Sequence, residues 1–467
     1  MSFLVLAIIL PLSGTLFLSC VGGPRLGAII NMVLSAMWLA LTVLVWQQAQ
    51  VGALAAVFGT LSSFAGLLAA LANVRFVVRG SFHVSSGRWR CHHALFQLFL
   101  GLNLLGLYTD NIGLLWLAMS GQTMAVLFAR YLCGSSGTLK VAWTSMLLGS
   151  VGVGLALLGT LLVYLAAQPI LGTGVMAMSF TALSSHARHF NQSLLVLGFI
   201  LILFGYGSKV SLMSLPGELA GRHAEGPFYL VYVPQGLFVN VVLLAILHFR
   251  HLLQGAASAR LADALILAFS ILLLLYAAFA MPRQRDITRF SGILLTLQAA
   301  ISLFAFGIGG TMAIFGGLLQ MLLQSLLKTC LFMSLAALAV GHEGQEAPSA
   351  LPALLKANKY NFWAFGGALF ALSGLPPSGL FVSEFIIVRQ TILDDPFLCL
   401  PLSIGLGLCA LPVLRRVGGL LLMSLPAEKN RMVDFLALLP LGLLFIMAFV
   451  MPRPLAHLFM QAAEALQ

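Results

Sequence analysis

Charge is what this sequence has least of. Only 8% of its 467 residues are Asp, Glu, Lys or Arg, and acids are the scarcer sign, 13 against 24 Lys and Arg. A soluble domain carries about 25% charged residues, so a water-exposed surface of ordinary kind is excluded. Cysteines are few and scattered (Cys20, Cys91, Cys133, Cys330, Cys399, Cys409). None forms a C-x-x-C, so neither an iron–sulfur cluster nor a zinc site is supported. No G-x-G-x-x-G follows a strand and no Walker loop occurs, which removes the common nucleotide sites. Residue-by-residue alternation of polarity is also missing, and that excludes a porin-type barrel. Any redox or nucleotide chemistry must then sit on another chain, and no cofactor, metal or catalytic redox site is expected on this one.

What the sequence has is apolar length. Hydrophobic residues make up 60% of it, mean hydropathy is +1.04, and the apolar residues fall in runs long enough to cross a bilayer. The expected fold is an all-α polytopic membrane protein, a single integral membrane domain over 1–467. Met1 to Cys20 lacks a basic leader and a small-x-small cleavage site, so it reads as a retained first helix. Fourteen spans are expected: 3–20, 27–47, 52–73, 92–108, 111–132, 142–166, 193–213, 228–249, 260–281, 289–308, 311–340, 360–390, 396–414 and 432–451.

The net charge of +11 reads as topology signal, not as a nucleic-acid footprint. Arg75, Arg79, Arg88 and Arg90 surround the loop after the third span with no acid among them, which places that loop in the cytoplasm. Both termini then lie on the non-cytoplasmic side. Lys140, Arg222, Arg283, Arg285, Lys356, Lys359, Arg415 and Arg416 fall on the same face as the arginine loop, and Asp394 and Asp395 on the other. Arg250 and Arg260 disagree with this pattern.

Two spans are interrupted. Gly205 to Pro227 ends an apolar run with Lys209, passes Pro216 and Gly217, and continues through Glu218, Arg222, His223 and Glu225. The span 360–390 is cut by SGLPPSG, which holds Pro376 and Pro377, with Glu384 beyond them. Proline/glycine-broken helices free backbone groups that hydrate or coordinate charge. Two of them in comparable positions predict a pair of internal repeats, 92–250 and 260–415, flanked by helices 1–73 and 432–451.

Polar residues at membrane depth are the candidate functional residues. Lys209 has two open readings, ion or proton handling and snorkelling to the water surface. Gln320, Gln324 and Lys328 are spaced by four and share one helix face, with Ser325 and Thr329 adjacent. The glutamines suit inter-helix hydrogen bonding, since an amide does not titrate. An interior ammonium at Lys328 instead points to function. Burial works against the charged form of a lysine and a nearby carboxylate works for it, so a lysine whose partner moves can load and release a proton. Glu384 is a candidate proton acceptor or, alternatively, a carboxylate capping a helix end. Asp286 is expected to cap a helix and pair with Arg285 or Arg289. His223 and Glu225 are candidates for feeding protons from water, and the His186 and His189 segment is expected to be solvated. No metal-ligand spacing accompanies any of them.

Several stretches between about Gln97 and Arg389 (DNIGLLWLAM, VGVGLALLGTLLVY, FGYGSK, HAEGP, RDITRF, GIGGTMAIFGGLL, SLLKTCLF and SGLPPSGLFVSEF) carry a family resemblance. The chain resembles the antiporter-like membrane subunits of respiratory complex I, Mrp-type cation/proton antiporters and membrane-bound group 4 hydrogenases. Within these it looks closest to the hydrogenase-4 component F group of formate hydrogenlyase-type complexes. The resemblance implies about fourteen helices with two inverted five-helix repeats, each containing a broken helix. It implies proton translocation in a bacterial inner membrane, coupled to electron transfer in a membrane-bound oxidoreductase complex, hydrogenase-like or NADH dehydrogenase-like. Lys209, Lys328 and Glu384 match the family's proton-path residues. Implied partners are other membrane subunits and a peripheral redox arm; nickel–iron and iron–sulfur centres belong to those partners if the complex is of hydrogenase type.

The sequence departs from the family pattern at four places. Ser120 stands where a glutamate is usual, Gln320 and Gln324 stand for histidines, Thr144 stands for a lysine, and Ala220-Gly221 stands for Pro-Asp. These changes predict a first half-channel that is disabled or modified. Besides a proton-translocating subunit, the sequence is therefore compatible with a non-pumping structural subunit, or with a subunit of a cation antiporter or inorganic-carbon uptake system.

Overall fold

The computed structural model describes residues 3–21, 23–49, 51–79, 85–133, 138–213, 230–254, 259–284, 287–340, 359–421 and 435–466. These residues are helical almost throughout, and the only β pairing among them is an isolated bridge between Asn111 and Ser179. In chain order the helices are α1 (Phe3–Cys20), α2 (Pro24–Gln47), α3 (Ala53–Arg79), α4 (Ser86–Tyr108), α5 (Ile112–Cys133) and α6 (Thr138–Leu171). After a short α7 (Phe180–His186) come α8 (Gln192–Met213), α9 (Tyr232–Leu237), α10 (Val239–Gln254), α11 (Ala259–Ala280), α12 (Ile287–Ile308) and α13 (Thr311–Val340). The chain continues with α14 (Lys359–Leu372), α15 (Gly379–Asp394), α16 (Cys399–Leu421), α17 (Leu438–Phe449) and α18 (Arg453–Ala465).

The described parts of the fourteen expected spans are mostly helical. Among the described residues ten helices are long and apolar enough to cross a membrane, or up to eleven with the last bent pair taken as one span, and shorter apolar helices occur besides. The span expected at 360–390 is two helices, α14 and α15, separated by residues 373–378. The polar link that follows Lys209 and Met213, with His223 and Glu225, lies outside the described residues. So do Arg285, Asp286 and Lys356, and so do the side chains of Lys140 and Thr144.

Local chemistry sets the helix starts. Pro24 opens α2, where its missing N–H costs nothing. The Asn111 side chain accepts from Gly113 N at 2.8 Å and Leu114 N at 3.1 Å, capping α5. Asn191 does the same for α8 through Ser193 N and Leu194 N.

Packing sorts the helices into two kinds. The apolar windows of α12 and α13 are 94% and 100% buried, whereas those of α1 and α16 are 22% buried. A helix that is apolar all round belongs in a core or in a membrane; α13 fills the core, while α1 and α16 leave most of their apolar surface on the outside of the fold. α13 is surrounded by α3, α9, α12, α14, α15, α17 and α18. The tightest pair is α6 with α8. A Cβ at Gly159 would stand 2.6 Å from Gly198 O, and one at Gly205 would stand 2.6 Å from Gly152 O. These glycines let two backbones meet directly, the small-residue packing that membrane helices use in place of a hydrophobic drive.

Arg250, which did not fit the loop-charge pattern, is not a loop charge. It is 2% exposed, its Nε donates to Asp263 Oδ1 at 2.7 Å, and its Nη1 donates to Leu466 O at 3.1 Å. It ties α10 to α11 and to the end of α18. α18 itself turns away at 77° from the preceding helix, stacking Phe459 on Phe58 and setting it edge-on against Phe315. At other helix ends Arg75 lies over the Phe435 ring and Arg416 over the Phe290 ring.

Candidate functional site

Lys209 sits four residues past Gly205 on α8, so the glycine seam that draws α6 against α8 also fixes its height and face. It is 3% exposed. Its ammonium donates to the hydroxyl of Thr123 on α5, and Thr123 Oγ1 donates onward to Met119 O at 2.9 Å. Ser120, one turn earlier, is partly exposed and donates to Leu117 O at 2.9 Å. The lysine is therefore buried and paired with a neutral oxygen. Thr123 was not singled out from sequence, although its spacing of three from Ser120 puts it on the same side of the helix.

The second group stands on α13. Gln320, Gln324 and Lys328 are all buried and succeed one another at about 6 Å along the helix axis. Gln320 Nε2 donates to Gln298 Oε1 on α12, and Ser383 Oγ on α15 donates to Gln320 Oε1. Gln298 Nε2 donates in turn to Leu372 O at 3.2 Å, the last carbonyl of α14. Gln320 thus makes the inter-helix bonds that an amide suits. Gln324 differs: neither its nitrogen nor its oxygen has a partner among the described residues, and the same holds for Lys328 Nζ. Beside them, Asn240 Nδ2 of α10 donates to Ser325 Oγ at 2.8 Å.

Glu384 lies on α15 just past the break and is 7% exposed. The cap of this helix is Ser378, whose side chain accepts from Phe381 N. The carboxylate instead faces the amides of Gln298 and Gln320. Its Oε1 lacks a partner among the described residues. Gly374, at φ +67°, makes room for it, since a Cβ there would collide with the carboxylate. Glycine is needed at that position both for the backbone angle and for the approach.

The structure thus brings Gln320, Gln298, Ser383 and Glu384 into one network across three helices, with Gln324 and Lys328 next along α13. Lys209 and Thr123 form a separate pair on α5 and α8. Gln298 and Ser383 escaped the sequence reading; each is a polar residue inside an otherwise apolar run, Ser383 directly before Glu384 and Gln298 two residues after Thr296, which is the signal that marks them. A further polar knot also escaped it. Asn31 Nδ2 meets His93 Nδ1 at 3.0 Å, Gln97 donates to Asn31 at 2.7 Å, and Asn73 meets His92 at 3.1 Å, all fully buried between α2, α3 and α4. Among the described residues no group of three or more His, Cys, Asp or Glu side chains could hold a metal ion.

Comparison with known proteins bears on the family and the fold. The family described as "NADH:quinone oxidoreductase/Mrp antiporter, TM" matches residues 109–409. A "Hydrogenase-4 component F homolog" of Methylacidiphilum infernorum (isolate V4) is 36% identical over 353 residues, 75% of this chain and 74% of that protein. A chain of the membrane-bound sulfane sulfur reductase, an archaeal respiratory membrane complex, superposes with a TM-score of 0.81 at 17% identity, over 99% of this chain and 97% of that one. A chain of respiratory complex I from Thermus thermophilus gives 0.72 at 18% identity, over 99% and 100%.

Proposed function

The chain belongs to the NADH:quinone oxidoreductase/Mrp antiporter membrane family, and on that premise we propose that it is a proton-translocating subunit of a membrane-bound oxidoreductase complex. Lys328 and Glu384 are its working groups, and its first half is altered. The observation that carries this reading is the state of Lys328. Its ammonium is buried at 1% exposure in the central helix and has no described hydrogen-bond partner. Keeping such a group costs several kcal/mol, and a structural role would have supplied it with an acceptor. Gln324, equally unpartnered, lies one turn away, and water held by these groups would offer a proton route toward Glu384.

In this reading two repeats, 92–250 and 260–415, each contribute one broken helix, with Lys209 ahead of the first break and Glu384 past the second. Lys209 facing Thr123 in place of an acid supports a first half that no longer exchanges a proton between two charged partners. The same observation favours the second reading, a subunit that keeps the fold and docks its neighbours without pumping. The redox centres, nickel–iron or iron–sulfur, would reside on the partners. The setting would be a bacterial inner membrane, with both termini on the non-cytoplasmic side.

The test is Lys328→Ala in the intact complex, reconstituted into vesicles with a pH-sensitive dye. Loss of proton uptake with redox turnover retained supports the pumping role. Unchanged uptake overturns it in favour of the structural reading. Tagging the chain and assaying what co-purifies fixes the class of complex. Nickel with iron indicates a hydrogenase-type assembly, and iron alone a complex I-like one. Membrane chains without redox metal indicate a cation antiporter or an inorganic-carbon uptake system.

A further inference from the structure

A groove of about 520 Å³ runs along the outside of α4, between α1 and α5, away from the polar network. Its floor is one helical face, Gly87, Arg90, Cys91, Ala94, Leu95 and Leu98, recurring at intervals of three and four. Thr15 and Ser19 of α1 form one wall and Phe128 of α5 the other. The hydroxyls of Thr15 and Ser19 are turned back onto their own helix, to Pro11 O and Leu16 O, so the wall offers the groove mainly carbon.

We propose that this groove holds the acyl chain of an anionic phospholipid, with Arg90 binding its phosphate. Length is the first argument. From Gly87 to Leu98 is about 16 Å of helix at 1.5 Å per residue, which is about half of the 30 Å hydrocarbon thickness. The groove therefore spans one leaflet from its edge toward the midplane. Charge is the second. Arg90 is the one ionisable cation in the lining, it sits at the edge end of the groove, and among the described residues no carboxylate pairs with it. A guanidinium there meets a phosphate in bidentate fashion, while the apolar floor below meets only hydrocarbon. Arg25, at the start of α2, is exposed at the same end of the bundle and adds to the positive field. Size is the third, because the volume lies within the range of specific small-molecule pockets, about 300–1,000 Å³. A neighbouring protein helix would fill a groove of this width with side chains, but would leave the half-buried Arg90 without an anion.

Native mass spectrometry of the full chain, titrated with phosphatidylglycerol or with phosphatidylcholine of the same acyl composition, tests this. Wild type is expected to retain phosphatidylglycerol roughly five-fold more tightly. Arg90→Gln is expected to bind both lipids alike, because only the charge is lost. Ala94→Trp, which fills the floor, is expected to weaken both. Equal retention of the two lipids by wild type, or an undiminished preference in Arg90→Gln, overturns the proposal. In the intact complex, a photo-crosslinker placed at Phe128 distinguishes the occupants: adducts to phospholipid support the site, and adducts to another protein chain overturn it.

Discussion

Lys209 on α8 gives its hydrogen bond to Thr123 on α5, not to Ser120 one turn before it. The pairing makes Thr123 the residue that decides where the ammonium rests. Thr123→Val keeps the shape and removes the acceptor, leaving a buried cation unpaired at a cost of about 1–3 kcal/mol. Ser120→Ala removes a hydroxyl that serves only its own helix. Proton uptake by the reconstituted complex should fall by about tenfold or more if the first half still conducts, while Ser120→Ala stays within about twofold. If both variants match wild type, Lys209 is structural and the first half is silent.

The bilayer-spanning fold was legible in the sequence because apolar length is a one-dimensional signal. The break in the second interrupted span was legible too, because SGLPPSG leaves a helix no choice. The partners of the charged residues were not. Nothing in the order of residues says that Gln298 on α12 faces Gln320 on α13, since that depends on how two helices are rotated against each other. Arg250 shows the same limit from the other side. Counted along the chain it is a misplaced loop charge; in three dimensions it is a buried member of a clasp with Asp263 and Leu466.

That clasp gives a stability prediction independent of transport. Asp263→Ala leaves the Arg250 guanidinium buried without its anion and should cost about 3 kcal/mol, read as a lower thermal midpoint in detergent. Arg250→Met with Asp263→Leu removes both charges and should recover most of that loss. The single variant should also loosen α18, whose last carbonyl Arg250 holds, and limited proteolysis near the C-terminus would report it.

Glu384 supplies a second test of the path. Glu384→Gln retains volume and hydrogen bonding toward Gln298 and Gln320 but cannot exchange a proton. Assembly and thermal stability should be near wild type, while proton uptake drops by roughly 100-fold. Full uptake in this variant would remove Glu384 from the path and leave it a packing residue over Gly374.

Gly205 separates the fold from the chemistry in the first half. An alanine there would put its Cβ 2.6 Å from Gly152 O and 2.7 Å from Ala156 N, both backbone atoms of α6. Neither can swing aside as a side chain would, so the two helices must part, at a cost of about 1–3 kcal/mol. Lys209 rides on the same face one turn later, and parting α8 from α6 also moves its ammonium relative to Thr123. Gly205→Ala is therefore expected to lower the thermal midpoint about as much as Thr123→Val does, and uptake with it if the first half still conducts, but by parting two helices whose contact Thr123→Val leaves intact. If Gly205→Ala melts with wild type, the α6–α8 contact is looser than its backbone spacing implies, and the seam is not what holds Lys209 in place.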